Sequence, residues 1–260
     1  MHRRKNTSGI MLIELVTAIT VSMLILGSLF IIGFSVQKNY SDQEAWHVME
    51  ENAQIALHIL RMDVGASGYM GCGQSAEIKI TGSKSQADEV AVRHASTIHF
   101  PLIESMKSSN IIAVNTSKIK IGDMLLISDC HSVETFQVKA VGENKITTVK
   151  NLSKMYDKYA EISHLEFNTY FIKKTTRYDA NHYLISALYS KDIYQHQAEL
   201  VERVDDMQIN YDIEEAGKLV TVKYNQIKDS AAIRGVSIQL VLSADNTILK
   251  RKFYAYITPH

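Results

Sequence analysis

Gly9-Ile10-Met11-Leu12-Ile13-Glu14 is the stretch that decides how this chain is read. His2, Arg3, Arg4 and Lys5 precede it. Leu15 to Phe34 follow it, a run of twenty residues with no charge and no proline. About 20 apolar residues span the hydrocarbon of a bilayer. A carboxylate at the mouth of such a segment is costly, roughly 2.5–3.5 kcal/mol at mid-bilayer and less near an interface, so Glu14 is read as a functional residue. The basic tip and uncharged run orient the N-terminus to the cytoplasm, which puts everything after Phe34 on the far side of the inner membrane.

Three readings of the run compete. A secretory signal has an apolar core of about 7–15 residues and a small-residue cleavage site; this run is longer, and no such site follows Phe34. A plain signal anchor fits the length but gives Glu14 no role. The third reading is a leader cut before the apolar core. The Gly9/Ile10 junction, followed by Leu12, Ile13, Glu14 and Leu15, resembles the prepilin-type signal of type IV pilins and type II secretion pseudopilins. In that family a glycine precedes the cut and a glutamate is the fifth mature residue, the place Glu14 takes counted from Ile10. The resemblance implies that a prepilin peptidase cuts between Gly9 and Ile10 and N-methylates Ile10. The chain departs from the family in starting its mature part with Ile where Phe is usual. Ile10 and Glu14 lie one helical turn apart. In the family the glutamate accepts the N-terminal charge of a neighbouring subunit, and a buried charge is tolerated when it is paired.

With 260 residues and 46% apolar content, the chain can build one sizeable core beyond the membrane segment. The 28 basic and 28 acidic side chains balance; losing the leader removes Arg3, Arg4 and Lys5 and no acid. A slightly acidic mature chain argues against broad nucleic-acid binding, and no nucleic-acid partner is expected. Cys72 and Cys130 are the only cysteines. A disulfide between them suits the periplasm and would close a loop of about 59 residues, worth roughly 4 kcal/mol in the chain-entropy model. The alternative is a reactive thiol with His131 as base; adjacent residues of a strand point to opposite faces, which disfavours it.

Between Gln37 and Val64 there is neither proline nor glycine. Trp46, Met49, Ala53, Ala56 and Leu60 recur at helical spacing, and Val48, Ile55, Ile59 and Met62 are read as broadening that face. Glu44, Glu50, Glu51, Gln54, His58 and Arg61 fall largely elsewhere. This predicts an amphipathic helix continuous with the membrane span, about 55 residues and about 80 Å long. Gly65, Gly68, Gly71 and Gly73 are expected to end it. Beyond them the period changes to two, with strands expected at 77–81, 89–94, 124–128, 134–141, 145–149, 165–173, 182–189, 207–213, 219–224, 236–243 and 249–257. Gly122-Asp123, Gly142-Glu143-Asn144 and Ala244-Asp245-Asn246 read as turns, the last closing a terminal hairpin; a short helix is expected at 200–204. The fold class is therefore α+β: a leader at 1–9, a helix at 10–64 (transmembrane 10–34, amphipathic 35–64), and one β-rich periplasmic head at 65–260.

Several head segments carry a narrower resemblance: Gly68-Tyr69-Met70-Gly71-Cys72, Asp123 to Cys130 with Glu134-Thr135-Phe136-Gln137-Val138, Leu200 to Tyr211, and the closing strand pair from Arg234. Their order is similar to that of PilW-type minor pilins, relatives of the J-type minor pseudopilins. The resemblance covers nearly the whole chain and implies a minor subunit that helps initiate pilus assembly and stays at the tip where it is retained. Implied partners are other minor pilins of the V, X and FimU or E types, a large tip adhesin, the major pilin and the prepilin peptidase. The span lacks the proline of major pilins; Gly27 and Gly33 are its weak points. A type II secretion pseudopilin and a signal-anchored periplasmic enzyme are the alternatives.

Enzymatic motifs do not emerge: there is no G-x-S-x-G, H-E-x-x-H, Walker loop or C-x-x-C. Gly68, Gly71 and Gly73 do not make a dinucleotide fingerprint, because no strand precedes them. His94 and His99 are five apart with no third ligand evident nearby, so no metal or cofactor is expected. Asp205-Asp206 and Glu214-Glu215 lack calcium-loop spacing and read as solvated charges. Thirteen tyrosines, among them Tyr156, Tyr159, Tyr170, Tyr178, Tyr183, Tyr189 and Tyr194, suit strands as well as contact surfaces.

Overall fold

The computed structural model describes residues 8–71, 81–82, 89–179, 181–215, 217–227, 233–244 and 250–258. Among the described residues one α-helix, α1 (Ser8–Ala66), is followed by thirteen strands, with a 3-10 turn at Tyr224–Gln226 before the twelfth. The chain divides into two units, Met1–Val48 and Met49–His260.

In the first unit the helix is long and apolar enough to cross a membrane. Its large side chains from Ile13 to Phe34 are exposed. The hydroxyls within the run turn back onto the helix: Thr17 donates to the Glu14 carbonyl, Thr20 to those of Val16 and Thr17, Ser22 to Ala18 and Ser28 to Ile25. A hydroxyl satisfied in this way can face hydrocarbon without a desolvated, unbonded proton. Gly27 and Gly33 sit within the same unbroken helix, with open space around them.

In the second unit α1 buries Met49, Ala53, Ala56, Leu60 and Val64. The 3,4 spacing of those residues is the reason this face is the one covered. The expectation that Ile55 and Met62 broaden the buried face is overturned: they are 44% and 63% exposed, Val48 is 45% exposed, and Ile59 is half-buried. At 100° per residue Ile55 and Met62 lie about 140° and about 160° round the helix from the centre of the buried stripe. They are apolar but on another face.

Gly65 does not end the helix; its hydrogen faces the Ile257 methyl, and a Cβ there would make an ordinary 3.8 Å contact. The break comes at Gly68 and Gly71, with φ of 88° and 75°. Left-handed backbone of this kind is open to glycine at little cost. Gly73 and Cys72 lie outside the described residues.

Among the described residues the head holds two sheets. The larger has nine strands: β1 (Thr81–Gly82), β2 (Val90–Pro101), β3 (Ile111–Ala113), β4 (Met124–Ser128), β5 (Val133–Gly142), β6 (Lys145–Thr148), β7 (Glu161–Tyr178), β8 (Leu184–Lys191) and β9 (Gln197–Glu202). The long strand β7 organises it. One edge of β7 pairs with β2; the other pairs first with β4 through residues 161–164 and then with β8 through residues 169–178. The smaller sheet has the order β11 (Lys218–Val222), β10 (Val204–Glu215), β12 (Ile233–Ser243), β13 (Lys250–Ile257), all antiparallel. β12 and β13 are the expected terminal pair; Asp245 and Asn246 of the expected turn, and most of the expected strand at 77–81, lie outside the described residues.

The helix expected at 200–204 is absent. Its residues end β9 and begin β10, and Arg203 between them takes φ 62°. That single left-handed residue passes the chain from one sheet to the other, and its carbonyl is held by the Ser243 amide at 3.1 Å. Short β3 and β9 were not anticipated from the pattern. A second close approach lies in β12, where any side chain at Gly235 would overlap the Tyr256 ring lying across it.

Leu60→Ala removes a fully covered side chain and is expected to cost the head about 2–5 kcal/mol in denaturant unfolding. Met62→Ala, on the exposed face, should stay within about 0.5 kcal/mol of the parent. A large loss in the Met62 variant would contradict the face assignment.

Candidate assembly surface

The sequence singled out Gly9, Ile10 and Glu14. All three lie in α1. Glu14 is exposed and, among the described residues, its carboxylate has no partner. The apolar band Ile13–Phe34 runs on from it.

Further along, α1 has two apolar faces with different fates. One carries Ala53 and Ala56 and is buried. The other carries Ile55 and Met62, seven residues apart, with half-buried Ile59 between them. Seven-residue apolar spacing along a helix matches the seam that a second helix fills. Glu51 and His58 flank it and are exposed.

The helix is fixed to the head by a carboxylate that sequence reading missed. Asp63 Oδ2 accepts the Tyr170 hydroxyl at 2.5 Å and the Asn168 amide at 2.8 Å, both from β7. Its Oδ1 stands 3.3 Å from His94 Nε2 on β2. His94 is only 8% exposed, and its Nδ1 lies 3.0 Å from the Ala95 carbonyl. Burial works to raise the Asp63 pKa, but the hydrogen bonds from His94, Tyr170 and Asn168 outweigh it and hold the carboxyl below its ordinary value. Burial likewise works to lower His94, and the bonds to Asp63 and Ala95 outweigh it, so the imidazole is raised. Burial first, then the neighbouring Asp63 charge, push the Tyr170 phenol well up, so that it remains a donor. Asn52 adds a bond to the Glu202 carbonyl at the end of β9.

The chain leaves the helix under equally tight control. The Gly68 amide donates to the Arg93 carbonyl and the Ala95 amide to the Tyr69 carbonyl, tying the exit onto β2. A Cβ at Gly71 would stand 3.2 Å from the Ser128 hydroxyl. Residue 71 therefore runs against the end of β4, two residues before Cys130. Cys130 itself takes φ 64° in a turn organised by Asp129, whose Oδ1 accepts the His131 and Ser132 amides. A hydrogen bond from Lys154 is the main reason the Asp129 carboxyl falls to about 2.

The remaining polar candidates have structural roles. His94 holds Asp63, whereas His99 is exposed on the far side of a register shift in β2. Among the described residues no three His, Cys, Asp or Glu stand close enough to hold a metal ion. Asp205 binds Lys250 and Ser243, Asp206 binds Gln208, and Glu214 binds Arg234. Tyr156 and Tyr170 are core residues; Tyr159, Tyr178 and Tyr183 are exposed. Tyr194, also exposed, reaches the Met124 amide from the turn after β8.

Removing one partner of a buried ion pair typically costs about 3–5 kcal/mol. Asp63→Ala is expected to destabilise the head by an amount in that range, and Tyr170→Phe by about 1–2 kcal/mol. Chemical denaturation checks both; near-neutral effects would show that the helix is held by apolar packing alone. No protein-family model, curated protein or solved structure matches this chain.

Proposed function

We propose that the chain is a minor type IV pilin: a single-pass inner-membrane subunit that joins other minor pilins to prime pilus assembly and has a structural, non-catalytic role. The observation that carries this reading is the helix with two apolar faces. One face is used by the head, and the other, at Ile55 and Met62, is open along with the whole apolar band Ile13–Phe34. A helix of this kind suits a subunit that is held first by lipid and then by neighbouring helices.

Glu14 supports the same reading. A carboxylate beside twenty uncharged residues, without a partner among the described residues, is stabilised by a cation from another chain. Cleavage between Gly9 and Ile10 would supply one as the N-terminal amine of Ile10. A disulfide between Cys72 and Cys130 fits the approach of residue 71 to β4 and would lock the helix exit in an oxidising compartment.

Mass spectrometry of the N-terminal peptide from the native membrane tests the first step. The expected peptide begins at Ile10 and carries one added methyl group; a retained Met1 rejects the proposal. Gly9→Asp should block processing. Glu14→Ala should be cleaved yet leave cells with few or no pili, and wild-type piliation would remove the role given to Glu14. Ile55→Glu with Met62→Glu should leave head stability within about 1 kcal/mol of the parent, since both sites are exposed, while abolishing crosslinking to partner subunits.

A further inference from the structure

We infer that the Asp63–His94 contact is a pH-sensitive latch: it fixes the last turns of α1 to the head while His94 is protonated and loosens them when the imidazole loses its proton. The inference is independent of what the subunit assembles into.

The geometry suits the charged form. A neutral imidazole has one N–H and one bare nitrogen. Here both ring nitrogens face acceptors: Nε2 the Asp63 carboxylate at 3.3 Å and Nδ1 the Ala95 carbonyl at 3.0 Å. Only the imidazolium donates to both. In the neutral form one nitrogen lone pair points at an oxygen lone pair inside a site almost closed to water. Removing a single proton therefore weakens the tie between α1 and β2. It leaves the bonds of Asn168 and Tyr170 to Asp63 in place, so the helix end loosens without being released.

The charged groups that act on His94, Asp63 and Glu166, both favour the imidazolium, against the burial that disfavours it. Asp63 faces it from α1. From β7 come Glu166, paired directly opposite in the ladder, and Tyr170, whose proton is held by Asp63. Arg93, its neighbour on β2, belongs to the opposite face of the strand by alternation. No cation on this face competes with the imidazolium among the groups that act on it.

The signs follow from the directions of the shifts. His94 is raised above its ordinary 6.5, so its contribution is complete below that pH and is lost as the pH climbs through the folded value. Asp63 is lowered below its ordinary 3.8, so its contribution is present above that pH and disappears only in strong acid. The latch is thus closed from mildly acid to near-neutral pH and opens on the alkaline side. His164 with Asp123 and His196 with Asp192 are more exposed pairs elsewhere in the head, so a variant at His94 is needed to assign the effect.

Hydrogen–deuterium exchange on the full chain in detergent micelles, corrected for chemical exchange, tests this between about pH 5.5 and about pH 8.5. Protection of the peptides covering 56–66 should be level up to about pH 6.5. It should then fall, by roughly tenfold for each unit by which the folded value of His94 exceeds 6.5. In His94→Gln the step should vanish, with protection at every pH near the alkaline level of the parent. A parent with no step, or a Gln variant with the parent's step, overturns the proposal. Should that variant not fold, ring-nitrogen NMR of His94 in the parent decides. Two protonated nitrogens at about pH 6 and an apparent pKa above 6.5 support the latch; one bare nitrogen at about pH 6 overturns it.

Discussion

The Asp63 carboxylate accepts from two neighbouring strands at once, and the placement of α1 on the head depends on it. Ala53 and Ala56 on the inner face of the helix are wholly covered. Covering that face excludes water, and a carboxylate at its edge must be bonded or else shift its charge state. Tyr170, Asn168 and His94 satisfy it from β7 and β2. Apolar burial provides most of the adhesion, but it is non-directional. The three bonds to Asp63 fix the rotation and sliding position of the helix, and therefore which of its faces remains outside.

That choice of face has consequences for the rest of α1. Once Met49, Ala53, Ala56, Leu60 and Val64 are turned inward, Ile55 and Met62 have to point away. The two faces also differ in kind. The buried one is built with small residues at its centre, suited to one fixed neighbour. The outward one carries Ile and Met, and an unbranched thioether adapts to more than one packing. In the proposed function, a surface that meets lipid-embedded neighbours would benefit from that tolerance, whereas the joint with the head would not.

Much of this was legible in the sequence. The uncharged run, the helix beyond it and the period-two head were read directly, and the strand at 124–128 coincides with β4. The misses have physical causes. Ile55 and Met62 were assigned by hydrophobicity without their angle about the helix axis. The segment 200–204 was read as helix because a lone left-handed Arg203 carries no sequence signature, as glycine would. Asp63 escaped because an acid on an amphipathic helix usually faces water, although it falls about 60° from the centre of the buried stripe. His94 shares one strand face with Val90 and Val92, four and two residues before it. Two polar residues each stranded on an apolar face were the signal that could have paired them.

Asp63 and Glu14 put the same question to one helix in two settings. Each is a carboxylate among apolar residues. Asp63 is matched inside its own fold by an imidazole and two neutral donors, so its charge contributes to the tertiary structure. Glu14 adjoins the exposed apolar band Ile13–Phe34 and has no partner among the described residues. A charge with the same need and no answer within the described chain favours any arrangement that brings a cation to it. In the proposed minor pilin that cation is the N-terminal amine of a neighbouring subunit. Under that proposal the residue most costly to an isolated subunit is the one that would give assembly its register.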